Sequence, residues 1–417
     1  MLNYLFFLII AFVTTDYLFG AILGWLNRRA AKPQLPPQLD GIYDGNEYAR
    51  QQQYFKENNR FSSVVRTFEY ALMMAMLFTG GFGILDGFAY TVTPSPVLAA
   101  LFFFAVLYIG NDVLTLPFSY YDTFVIEERF GFNRMTRRLF FEDKFKSWLI
   151  ASLLGGALLA TVYILYQRWS EMFWLYSWVI ICAIVVFLTM FYSEWIVPIF
   201  NKQTLLEPGP LQRAIKEFAS KADFEISNIY VMDGSKRSSK ANAYFSGLGK
   251  RKRVVLYDTL IKELTIEEIV AVLAHEIGHY KYRHTFLGLG ISLLNSFILL
   301  YVFSLLVDNE VLAHAMGGKF PTFELGLIAF TLLYSPIELV TGILMNVLSR
   351  HNEFQADRYA ASFGMAESLI SALRKISVKA LSNLTPSPVY VFVYYSHPTL
   401  LQRVKRLQAY QRNSAKN

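Results

Sequence analysis

The chain has 417 residues, 54% hydrophobic and 17% charged, with a positive mean hydropathy. Soluble domains carry roughly 25% charged residues, so the composition excludes an ordinary soluble protein and points to a bilayer-embedded one. The net charge of +7 reads as basic loops on one membrane face rather than as a nucleic-acid surface. The single cysteine, Cys182, excludes a disulfide framework and a cysteine-based metal site.

In chain order, seven apolar segments approach or exceed the roughly 20 residues that a spanning helix needs: 4–26, 67–90, 97–118, 147–166, 172–194, 285–307 and 323–347. The first has no basic leader and too long an apolar stretch for a cleaved signal, so it is expected to be retained. Lys and Arg number seven in 27–66 and six in 119–146, against none, one and one in 91–96, 167–171 and 308–322. The positive-inside rule then predicts an outside N-terminus and a cytoplasmic C-terminus. Asp16 and Glu338 lie deep within spans, and Glu338 follows Pro336. Ionisable groups at such depth face a watery interior, which predicts a polar cavity inside the bundle.

Between the fifth and sixth spans lies a non-membrane insertion, 196–284. "EPGPLQRAIKEFASKA" (207–222) reads as a helix with Pro210 near its start. "NIYVMDG" (228–234), "ANAYFSGLG" (241–249) and "KRVVLYDTL" (252–260) read as strands, with Gly247 and Gly249 in a turn. "GLGK" (247–250) lacks the spacing of a phosphate loop and is set aside. Thr265, followed three residues later by Glu268, forms a capping-box pattern, and Leu264 and Ile269 suit a hydrophobic staple. A helix is therefore predicted over 266–284, carrying "HEIGH" (275–279).

On a helix, side chains four apart share a face, so His275 and His279 can turn imidazole nitrogens toward one ion. Two imidazoles and one carboxylate make up one type of catalytic zinc site. Glu276 lies about 100° further round the helix, the period being 3.6 residues. There it can act as general base on a metal-bound water. The third ligand must come from elsewhere. Spans six and seven form a hairpin, so "RHNEFQADRYA" (350–360), directly after span seven, returns to the same face. It brings Glu353 to the two histidines. Asp357, four residues on, can accept from a ligand histidine's other N–H and fix its tautomer. His284 is expected at the membrane interface, His351 to point away from the site, and His314 to lie on the opposite face.

HEIGH with the downstream "NEFQAD" resembles the type I CAAX prenyl proteases, membrane zinc endopeptidases that process isoprenylated C-termini. "LPFSYYDTFVIEERFGFNR" (116–134), "NAYFSGLGKRKRVVLYDTL" (242–260) and "YYSHPTLLQRVKRL" (394–407) extend the resemblance over most of the chain. It implies a mainly α, multi-pass membrane fold: seven helices around a polar chamber, with a small cytoplasmic α+β zincin-like insertion. It implies one Zn2+ per chain on His275, His279 and Glu353, with Glu276 as base and Asp357 as supporting acid or proton donor. His397 and Arg403 match positions near the scissile carbonyl. Asn242, Ala243 and Tyr244 would pair with an extended substrate by strand addition.

Two regions are expected, 1–195 with five spans and the loop 119–146, and 196–417 with the metallopeptidase elements. The expected partners are a peptide or protein, isoprenylated or not, and membrane lipid, without nucleic acid. The tail shows no retrieval signal, which favours a bacterial inner membrane over the endoplasmic reticulum. The rival readings are a general quality-control protease of the membrane, a transporter on a protease scaffold, and a structural metal protein without turnover.

Overall fold

A computed structural model describes residues 3–31, 41–226, 228–246 and 253–414. Seven of its helical segments are long and apolar enough to span a bilayer. The first is α1 (Tyr4–Ala30). The second, α2 (Gly45–Phe78), differs from the expected 67–90. Gly80, at φ 67°, ends it in a left-handed turn that glycine adopts without steric cost, and α3 (Gly81–Val92) follows. At its other end α2 continues well outside the apolar run. There Tyr48 joins Ile126, Phe130 and Phe132 of the 119–146 segment and Leu381 and Leu384 in one buried cluster.

Next come α4 (Pro96–Tyr121), running into a π-helical turn over Asp122–Glu127, and α5 (Arg137–Ile150). The expected loop 119–146 is thus largely helical. A second π-turn joins α5 to α6 (Gly156–Arg168), and α7 (Phe173–Trp195) and the short α8 (Val197–Phe200) close the N-terminal half. In each span's most apolar 18-residue window only 6–17% of residues are buried. Most of the surface of these spans is therefore left uncovered by the rest of the chain, as helices facing lipid require.

The insertion forms a four-stranded sheet of order β1-β2-β4-β3. Its elements are β1 (Gln203–Leu205), α9 (Pro210–Lys221), β2 (Asn228–Met232), β3 (Ala243–Ser246) and β4 (Arg253–Tyr257). β1 was not expected, being only three residues long. β2 and β4 are parallel, and β3 lies antiparallel to β4 at the sheet edge, with Ala243 opposite Leu256. The expected strand over 252–260 is shorter, because the chain turns helical in α10 (Asp258–Glu263). The "GLGK" segment and its two glycines fall outside the described residues.

α11 (Ile266–Lys281) carries HEIGH and has the predicted capping box. It stops three residues before the expected end. Arg283 adopts a left-handed conformation (φ 59°) and redirects the chain into span six, α12 (His284–Ser304). After α13 (Glu310–Ala315), α14 (Phe323–Ser362) runs unbroken from span seven into the region beneath α11. α15 (Ala366–Lys379), α16 (Pro388–Tyr394) and α17 (Leu400–Ser414) complete the chain. The sheet, α9, α11, α15 and α17 share one core that includes Ile215, Leu256, Ile269, Leu273, Leu369 and Leu407. That core fixes α11 from behind and leaves its histidine face toward α14.

Candidate metal centre

Three local devices hold α11. Thr265 and Glu268 cap each other reciprocally, and the Glu268 carboxylate also accepts from Ser371 (2.7 Å) and Lys375 (2.9 Å) of α15. Burial would raise the Glu268 carboxyl, but Lys375, Ser371 and the Thr265 N–H more than offset it and hold it below the usual carboxylate range. Gly278 permits the closest approach of α11 to α14. A Cβ there would lie 2.9 Å from the Ala356 Cα and 3.0 Å from the Tyr359 Cβ.

That approach brings the ligand candidates together. His275, His279 and Glu353 each offer a donor atom, all within 4.8 Å of one another. Both histidines use Nε2: the two nitrogens are 3.3 Å apart and lie 3.4 and 3.2 Å from the Glu353 oxygens. Glu353 Oε2 is buried with no hydrogen-bond partner. A buried carboxylate and two imidazole nitrogens that converge on one point suit a divalent metal.

Asp357 is fully buried and lies 2.9 Å from His275 Nδ1, on the ring edge opposite the ligand nitrogen. Arg403 of α17 approaches from below. Its Nε and Nη2 donate to the two Asp357 oxygens (3.0 and 2.6 Å), and Nη1 lies 3.5 Å from Glu353. Burial and Arg403 both push the His275 imidazole down, yet Asp357 and Glu353 prevail and lift it to about 9. A metal must displace that proton to bind. Burial likewise opposes the charge on Arg403, while Asp357 and Glu353 hold it above its ordinary value.

Above this group opens a cleft of about 1100 Å³, lined by Glu276, His279, Glu353, His397, Asn242 and Tyr244 among others, with Leu188 and Tyr192 of α7 on one wall. Glu276 is partly exposed there. The His397 side chain is 65% exposed, and its Nε2 sits 3.3 Å from Glu353 Oε1. Asn242, just before β3, and Tyr244 within it line the cleft, and the only strand neighbour of β3 among the described residues is β4.

Two placements depart from the sequence reading. Arg403 was expected near a scissile carbonyl, but it is 8% exposed, its guanidinium is engaged by Asp357 and Glu353, and it is not among the residues that line the cleft. His284 was expected at the interface, yet it is 8% exposed and packs against His279. The 119–146 segment also docks onto the insertion, through Arg237 with Asp143 (2.8 and 3.0 Å) and Lys240 with Glu127 (2.9 Å). Only charge complementarity across about a hundred residues signalled that docking. His351 is exposed, as expected, and His314 lies at the other end of span seven, bonded to the Gly318 carbonyl.

Comparison with known proteins gives a consistent picture. A family model described as the CAAX prenyl protease N-terminal region, with five membrane helices, matches residues 26–202, and the model of peptidase family M48 matches 206–411. A CAAX prenyl protease 1 homolog of Dictyostelium discoideum is 40% identical over 74% of this chain and 73% of its own length. The homolog of Oryza sativa subsp. japonica is 33% identical over 96% of each chain. The crystal structure of S. mikatae Ste24p superposes with a TM-score of 0.91 at 31% identity, covering 97% of this chain and 99% of the other.

Proposed function

This chain belongs to the CAAX prenyl proteases of peptidase family M48, multi-pass membrane metallopeptidases acting on peptides or proteins, and on that premise we propose that it is a zinc endopeptidase removing the C-terminal tripeptide of isoprenylated proteins. One observation carries the reading. The converged Nε2 atoms of His275 and His279 and the Glu353 carboxylate open onto a cleft that Glu276 also lines.

His275, His279 and Glu353 would hold one zinc ion, which when bound supplies Lewis acidity at the scissile carbonyl and acidifies water. Glu276 takes the proton of the attacking water and returns it to the leaving amine. Asp357 orients His275, and Arg403 neutralises Asp357 and Glu353 so that both carboxylates stay ionised in a buried site. His397, exposed beside the cleft, donates toward the oxygen on which negative charge develops. The edge strand at Asn242, Ala243 and Tyr244 offers backbone groups to an extended peptide. The apolar wall from α7 suits a lipid-bearing one.

The basic loops support an outside N-terminus and a cytoplasmic site, and with that orientation the regions 1–195 and 196–417 divide the membrane scaffold from the peptidase elements. The relatives compared above come from eukaryotes, whereas the sequence reading expects a bacterial inner membrane. Fractionation of the source cell decides the membrane.

Purified wild type and E276A are compared for zinc content and for cleavage of a farnesylated and an unmodified CAAX peptide. About one zinc in each protein, with cleavage of the farnesylated peptide by wild type alone, is the expected result. Equal cleavage of both peptides would favour a general membrane protease, and cleavage of neither would remove the CAAX assignment.

A further inference from the structure

The two ligand histidines are supported differently. His275 Nδ1 meets a carboxylate, Asp357. His279 Nδ1 meets the Nδ1 of another histidine, His284, at 3.0 Å. His284 continues the chain of contacts: its Nε2 is 2.8 Å from Gln355 Oε1, and Gln355 Nε2 is 3.1 Å from the Nε2 of exposed His351.

These contacts have one consistent direction. His279 Nε2 faces the ligand group, so it carries the lone pair and Nδ1 carries the proton. That N–H donates to His284 Nδ1. His284 must then bear its own proton on Nε2, where the Gln355 carbonyl oxygen accepts it. The Gln355 amide donates in turn to His351. Each ring is fixed in one tautomer by the next partner. The backbone makes the arrangement possible, since the left-handed turn at Arg283 folds His284 back beside His279 and not onward along a continuous helix. Tyr282 stacks on the His284 ring at 5.7 Å and 21° between planes.

We infer that His284 is the positioning residue of His279: with Gln355 it holds the ring and its tautomer so that Nε2 is presented to the metal. The inference rests on the metal reading above. Outer partners of ligand histidines typically contribute 10–100-fold to metal affinity. A neutral imidazole acceptor places His284 toward the lower part of that range, about tenfold.

The test uses full-length protein in detergent, stripped of metal and titrated with Zn2+ against a chromogenic chelator. H284A is expected to lose about tenfold in zinc affinity. H284Q, which keeps a hydrogen-bond acceptor, should recover most of the loss, and Q355L, which keeps the acceptor but frees its tautomer, should fall between. The cobalt-substituted proteins provide a second readout. The visible absorption band should shift in H284A and return toward wild type in H284Q, a change that a merely space-filling role would not produce. Wild type taking up no zinc would overturn the metal reading and this inference together. Wild type binding zinc while H284A binds it equally tightly would overturn this inference alone. Should H284A fail to fold, unchanged zinc affinity in Q355L would do the same.

Discussion

α14 buries carboxylates near its start and again toward its far end, about 44–50 Å further along at 1.5 Å per residue. At its start Glu324 is fully buried and nearby Asp86 nearly so, accepting from Thr322, and neither has an ion-pair partner among the described residues. At its far end Glu353 and Asp357 are just as buried, but Arg403, His275 and His279 surround them. An ionised carboxylate in a low dielectric is costly unless paired. The contrast therefore distinguishes a place where buried carboxylates are surrounded by cationic partners from one where they are not. Buried acidity alone does not mark a working site. The cations and imidazoles arranged round it do.

The largest expected effect is at the far end. E276Q should retain the metal and lose activity by about 10²–10⁴-fold, the usual contribution of general acid–base catalysis; single-turnover cleavage with metal analysis on the same sample checks it. Equal loss of metal would move Glu276 into the ligand set. R403M comes next. Removing one partner of a buried ion pair costs about 3–5 kcal/mol, so the apparent melting temperature should drop well below wild type. A small drop would mean that Asp357 and Glu353 tolerate burial unaided and would erase the contrast between the two ends.

G278V tests the approach that creates the far end at all. Overpacking costs about 1–3 kcal/mol, and because α14 must retreat, zinc affinity should fall with stability. Stability loss with unchanged zinc affinity would show that Glu353 arrives without close helix contact.

Glu268 offers a milder, pH-readable effect. Its folded carboxyl is held below the usual range, so its contribution is fully present above the unfolded value of about 4.3 and fades as pH falls through the folded one. The stability gap between wild type and E268Q should be open at pH 7 and narrow below pH ~4. The smallest effect is expected for E324Q, with activity and melting temperature near wild type. A large loss there would show that the near end also depends on ionised charge.

Much of the site was legible in local pattern. Spacing of four placed His275 and His279 on one face, and the Thr265–Glu268 capping box located the start of their helix to the residue. Length and apolar composition located most spans, because a bilayer imposes both on every crossing segment. Glu353 could be anticipated because a hairpin returns the chain to the same face. The second span was shifted because apolar content marks what lies in lipid, whereas α2 continues into polar sequence where other contacts hold it.

By itself, then, the sequence determined the membrane class, the imidazole pair with its neighbouring glutamate, and the helix that bears them. These follow from nearest-neighbour periodicity and from transfer free energy, which act residue by residue. Only the tertiary structure decided that Arg403 turns inward to Asp357, 46 residues away, that the 119–146 segment docks on the insertion, and that β3 is left as an edge. It also decided that a left-handed arginine folds His284 onto His279. Such outcomes depend on which surfaces pack together across the chain. The energy of a buried ion pair or a shared hydrogen bond exists only once that packing has removed water from around it.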